Sequence, residues 1–153
     1  MIAENMRIYI DTSVVGGLFD MEFEEASRTF FAAVETGKIV LVVSDLLLAE
    51  LAQAPSRVRD HLDRFPLCQV ETVELTQEAA ILADRYIAER VVGKTSRVDC
   101  QHIAVATLSR VDVLVSWNFK HIVNLKRIRG YNSVNLKNGY PMLEIRTPGE
   151  VLG

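Results

Sequence analysis

Three short strand-like runs constrain this chain most: Arg7 to Ile10, Ile39 to Val43 and Val111 to Trp117, separated by stretches whose apolar residues recur every three or four positions. A continuous apolar, β-branched run fits a strand covered on both sides, and the intervening periodicity fits the helices that cover it. Strands alternating with helices dictate a parallel sheet, because each connection must cross back over the sheet. The reading is an α/β protein of three layers, α/β/α, with a mainly parallel central sheet. Its 153 residues suit one domain, 1–153, with a single sizeable core.

Around these runs, Glu22 to Gly37 places Phe23, Ala26, Phe30, Phe31 and Val34 on one helical face, and Gly37 is a fitting stop. Ser44 is suited to cap the helix that carries Leu46 to Leu51, and Thr76 the one that runs to Arg90. Ala54-Pro55-Ser56 marks a break before a more polar helix from Ser56 to Phe65, and Leu67 to Leu75 reads as a further strand. Asn124 to Gly139 reads as partly helical, Met142 to Ile145 as an edge strand, and Thr147 to Glu150 as a last helical turn.

Three carboxylates occupy costly addresses. Asp11 ends the first strand-like run, Glu50 interrupts a leucine-rich helix on the face of Leu46 and Leu47, and Asp99 opens an apolar helix that leads into the Val111 run. A charge placed where helices meet the mouth of a sheet loses hydration and needs a donor cluster, a cation or water in return. Each also has a purely local explanation. Asp11, Thr12 and Ser13 are suited to cap a short helix, Glu50 to lie at a helix edge with its head in water, and Ser96 with Asp99 to form a capping box. If the three converge instead, they make an all-oxygen set that suits magnesium or manganese better than zinc or copper.

Other chemistries fit less well. Cys68 and Cys100 have no metal-ligand spacing, and no Gly-x-Ser-x-Gly nucleophile turn is present. Gly93-Lys94-Thr95 looks like the tail of a phosphate-binding loop, but position 88 is alanine and the preceding segment is helical. No apolar run approaches the roughly 18 residues of a membrane span, and Met1 to Arg7 lacks the blocks of a signal peptide, so the expectation is a cytoplasmic protein with no membrane association. Net charge is −3, yet no acid falls between Asp112 and Glu144, an interval with five lysines and arginines. Segregation of that kind produces a basic face on an acidic protein. Within it Lys126 and Arg129, three apart, share a helical face, and Arg127 does not.

Four blocks carry a family resemblance: Ile10-Asp11-Thr12-Ser13, then Val43-Ser44 to Glu50-Leu51, then Asp99 to Ala106, then Leu114-Val115-Ser116-Trp117-Asn118. In this order and spacing they resemble a PIN domain, and within that family the VapC-like toxins of toxin–antitoxin pairs. The resemblance covers residues 6 to 150. It implies a Mg2+- or Mn2+-dependent endoribonuclease that hydrolyses single-stranded RNA, forms a homodimer and is restrained by a small antitoxin protein. Carried over by position, Asp11, Glu50 and Asp99 match the family's catalytic, metal-binding acids, with Thr12, Ser13, Ser116 and Asn118 in supporting positions. Lys126 and Arg129 are the expected RNA contacts. The fourth acidic position is Asn118 here, with His121 nearby, which puts a second metal in question. The alternative is a PIN-fold subunit with little activity that binds RNA or a partner.

Overall fold

The computed structural model describes residues 5–152. Five parallel strands form one sheet: β1 (Met6–Ile10), β2 (Ile39–Ser44), β3 (Val70–Val73), β4 (Val113–Val115) and β5 (Ile145–Arg146), in the order β3-β2-β1-β4-β5. Its helices are α1 (Thr12–Gly16), α2 (Glu24–Glu35), α3 (Asp45–Ala52), α4 (Ser56–Arg59), α5 (Gln77–Ala88), α6 (Arg97–Leu108), α7 (Leu125–Lys137) and α8 (Pro148–Leu152). The expected three layers are present, and every strand pairing is parallel.

The alternation of side chains along the strands divides the core in two. Ile8, Ile10, Leu41, Val43, Val113 and Val115 pack with α1, α2, α3 and α8, whereas Tyr9, Val42 and Leu114 point the other way, against α5, α6 and α7. Burial on both faces explains why these strands carry no polar alternation.

Chain order reverses beside β1. From β1 the chain builds outward through β2 and β3, then returns to add β4 on the opposite side of β1. The crevice between the carboxyl ends of β1 and β4 is therefore the switch point where ligands of open parallel sheets bind. Asp11 leaves β1 there, and Ser116, Trp117 and Asn118 leave β4.

Several elements differ from the sequence reading, each for a local reason. The strand expected from Leu67 is only Val70–Val73, because Gln69 N–H bonds the Pro66 carbonyl and closes a 3-10 turn that leaves Leu67 exposed. The helix from Ser56 is one α turn followed by a 3-10 turn, Asp60–Arg64. The edge strand begins at Ile145 rather than Met142, since the Asn132 side chain takes both the N–H and the carbonyl of Leu143. Phe23 precedes α2 instead of lying on its face, and stacks on Trp117 at 4.4 Å between ring centroids. Gly37, at φ +81°, ends that helical segment as expected.

Candidate functional site

Asp11, Thr12, Ser13, Glu50, Asp99, His102 and Asn118 line one cleft of about 140 Å³ at the switch point. Four separate elements supply them, and each local fold has an identifiable cause. Ser44 Oγ accepts the Leu47 N–H and starts α3 immediately after β2, which sets Glu50 in the second turn of the helix. Asp99 lies in the first turn of α6, and His102 follows three residues later on the same face.

The capping explanations give way to contacts across the fold. Asp11 stands at the N-terminus of α1 but makes no side-chain cap. Instead Ser13 Oγ donates to its Oδ1 at 2.6 Å and Ser116 Oγ to its Oδ2 at 2.7 Å. Ser96 makes no cap at α6 either, so Asp99 is not held in a capping box. Its Oδ2 accepts the Asn118 amide Nδ2–H at 3.3 Å, and Asn118 Oδ1 in turn accepts the His121 N–H, which fixes the orientation of the amide. Glu50 is half-exposed rather than buried with Leu47, and its Oε1 accepts from Thr12 Oγ1 at 2.7 Å and faces His102 Nε2 at 2.9 Å.

Burial, foremost, raises the pKa of Asp11 above the ordinary carboxylate range, opposed by the nearby His102 and the two serine hydroxyls. Asp99 is raised as well, first by burial and then by the charge of Asp11. Glu50 is lowered, chiefly by its hydrogen bond to His102. The cleft therefore concentrates negative charge that its own residues do not neutralise.

Among the described residues, no three His, Cys, Asp or Glu groups form a ready-made metal cage. A hard cation such as magnesium would meet such a site with several of its waters retained, taking one or two carboxylates directly. The donor chemistry also fits, since Oε2 of Glu50 and Oδ1 of Asp99 have no partner among the described residues.

Ser116 is fully buried behind the cleft, where it links Asp11 to the Asn118 N–H. Lys126 and Arg129 are exposed on α7 and do not line the cleft. Arg127 is occupied elsewhere, with its guanidinium on the Val91 carbonyl. His102 is the site residue that sequence reasoning misses. On an apolar helix it reads as a core position, and only its place three residues after Asp99 hints otherwise.

No helix of the described residues is long and apolar enough to cross a membrane. Among solved structures, the chain is similar to VapC20 of Mycobacterium tuberculosis, a sarcin–ricin loop cleaving toxin, at 16% identity and a TM-score of 0.57, covering 74% of this chain and 91% of that one. It is also similar to VapBC2 from Rickettsia felis bound to a promoter DNA fragment, at 14% identity and a TM-score of 0.58, covering 93% and 98%. A third likeness is FitAcB from Neisseria gonorrhoeae, at 12% identity and a TM-score of 0.57, covering 92% and 97%. At such identities these likenesses speak for the fold alone. A search of curated proteins gives no match. The sequence model of the PIN domain, however, matches residues 8–120, the interval that contains every residue lining the cleft, and the chain belongs to the PIN domain family.

Proposed function

We propose that this protein is a divalent-metal-dependent endoribonuclease acting on single-stranded RNA, and the toxin of a toxin–antitoxin pair. The observation that carries the reading is the convergence of Asp11, Glu50 and Asp99, from three distant parts of the chain, on one cleft at the sheet's switch point. VapC20, which shares the fold, is a sarcin–ricin loop cleaving toxin, and the VapBC2 and FitAcB structures supply the analogy for a small antitoxin partner. The homodimer remains part of the proposal through the family resemblance.

Asp11, Glu50 and Asp99 would hold Mg2+ or Mn2+, which supplies Lewis acidity toward a phosphoryl group. The rest of the chemistry belongs to the side chains. Ser13 and Ser116 fix Asp11 from both oxygens, and Thr12 and His102 hold Glu50 through one. Asn118 holds Asp99 at Oδ2 and leaves Oδ1 open toward the cation. Lys126 and Arg129 would meet the flanking phosphates, whose charge the cleft itself repels.

Cleavage of a labelled single-stranded RNA panel tests this reading. The expected result is cleavage with Mg2+ or Mn2+, none with a chelator, and none from Asp11→Asn. Asn118 in place of a fourth acid favours a second reading, a PIN-fold binding subunit of little activity. RNA binding without metal-dependent cleavage would establish that second reading. Co-expression with the neighbouring open reading frame tests the antitoxin, with relief of growth arrest as the expected result.

A further inference from the structure

A chain of polar groups runs through the interior of this protein and ends on Glu50. Ser44 Oγ stands 2.8 Å from the Tyr9 hydroxyl, which stands 2.6 Å from His102 Nδ1, and His102 Nε2 stands 2.9 Å from Glu50 Oε1. Ser44, Tyr9 and His102 are buried, and only Glu50 is half-exposed. The members come from β2, β1, α6 and α3, so no local turn geometry accounts for their alignment.

Packing alone does not require this chain. Tyr9 points into an otherwise apolar cluster with Val42, Ile103 and Leu114, where a phenylalanine would fill the same space without desolvating a hydroxyl. What the hydroxyl adds is a fixed partner for Nδ1, and a partner at Nδ1 fixes the ring. An ionised carboxylate only accepts hydrogen bonds, so Nε2 carries the proton that reaches Glu50. Tyr9 has one proton for two neighbours, and whichever of Ser44 and His102 receives it, the Nε2–H stays on Glu50. Thr12 donates to the same Oε1. Both donors on one oxygen leave Oε2 as the atom that Glu50 offers to the cleft.

We propose that Tyr9 and His102 are positioning residues, which hold the Glu50 carboxylate by its Oε1 so that Oε2 is presented to a divalent cation. The proposal rests on the metal-dependent reading of the cleft given above. Glu50 sits on a helix of two turns that ends at Ala52, and a half-exposed glutamate there otherwise samples several rotamers. The buried chain replaces that freedom with one orientation before the cation arrives. Partners of this kind beside metal-binding side chains govern affinity by about 10–100-fold.

Titration of the protein with Mn2+, read as the rise in melting temperature, tests the proposal without reference to activity; kcat and KM on a single-stranded RNA give a second readout. His102→Leu should weaken the apparent Mn2+ affinity by about tenfold or more and lower kcat with little change in KM. His102→Gln, whose amide nitrogen reaches the place of Nε2, should recover most of the loss. Tyr9→Phe keeps the core volume and should lie between the two, and it carries the test alone if His102→Leu does not fold. Variants that melt lower without metal but keep the wild-type Mn2+ response and kcat would make the chain purely structural and overturn the proposal. Absence of any Mn2+ response in the wild type would instead overturn the reading of the cleft, and this proposal with it.

Discussion

Asn118 donates its amide to Asp99 Oδ2 from across the cleft, with 3.3 Å between the heavy atoms. A neutral donor at this position relieves the charge around Asp99, where a fourth carboxylate would add to it. The expected effect of Asn118→Asp follows. The hydrogen bond to a charged acceptor is lost and a repulsion replaces it, so the metal-free variant should lose about 1–3 kcal/mol of stability. Mg2+ or Mn2+ should then stabilise the variant more than the wild type, through preferential binding to the folded state. Denaturation curves with and without the ions measure both effects. Equal metal responses in the two proteins would mean that position 118 does not face the cation.

Asp99→Asn should abolish metal-dependent RNA cleavage while the metal-free protein melts at the same or a higher temperature. Its folded pKa is raised, by burial and by Asp11, so ionised Asp99 costs folding free energy near neutral pH. For a raised carboxylate the contribution to stability is full below the unfolded pKa and is lost as pH rises through the folded one. The advantage of the variant should thus be largest near neutrality and shrink as pH falls through the raised pKa of Asp99. Asp11 behaves in the same sense, and Glu50, with a lowered pKa, in the opposite sense. Melting temperatures of both proteins from about pH 3 to about pH 8, which brackets the ordinary carboxylate value of about 4, decide the matter.

Which parts of this site were legible in the sequence follows from how each residue is held. Asp11 and Asp99 stand out because a charge at a strand exit or helix start is visible against apolar neighbours. Their partners are less visible. Ser116 reaches Asp11 over a separation of 105 residues, and Tyr9 reaches His102 over 93, so neither pairing leaves a local pattern. The local patterns that were present misled at the same places: Ser96 with Asp99 spells a capping box, yet Ser96 forms no cap. Likewise the three main strands follow from their apolar runs, whereas the shortened β3 and β5 depend on Pro66 and on the Asn132 side chain. Tertiary contacts decide those boundaries, and propensity does not encode them.

Ser116→Ala should destabilise the fold and weaken the site together. The hydroxyl is fully buried, donates to the charged Asp11 and accepts the Asn118 N–H, so its removal leaves two buried groups short of a partner. A loss of about 1–3 kcal/mol is expected. Chemical denaturation measures it. A change within about 0.5 kcal/mol, the range of neutral surface substitutions, would show that these bonds are not what holds the β4 exit.

Gly17 keeps the same exit in place from the opposite side. A Cβ there would lie 2.6 Å from Ser27 Oγ and 2.7 Å from Trp117 Nε1, two atoms that are hydrogen-bonded to each other. Gly17→Ala must therefore displace the indole, at a cost of about 1–3 kcal/mol typical of overpacking. Trp117 is the chain's single tryptophan, so its fluorescence reports the displacement directly. Because Asn118 follows it, cleavage should fall as well. An unchanged emission spectrum would show that the ring accommodates the methyl group without moving.

Lys126 and Arg129 supply the last prediction. Both are exposed on the first turns of α7, three residues apart and on one face, whereas Arg127 between them is turned inward to the Val91 carbonyl. On the proposed reading a cation held in the acidic cleft would attract only the scissile phosphate, so the flanking backbone needs cations of its own, and this helix lies in the interval without acids. Changing Lys126 and Arg129 together to alanine should weaken binding by a similar factor for every single-stranded RNA tested. Each lost phosphate contact should also flatten the dependence of log K on log salt by about 0.7, or about 1.4 for the pair. Arg127→Ala should leave that slope unchanged and lower stability instead. If the double variant binds RNA normally but elutes differently on size exclusion, this face of α7 meets a second protein rather than the nucleic acid.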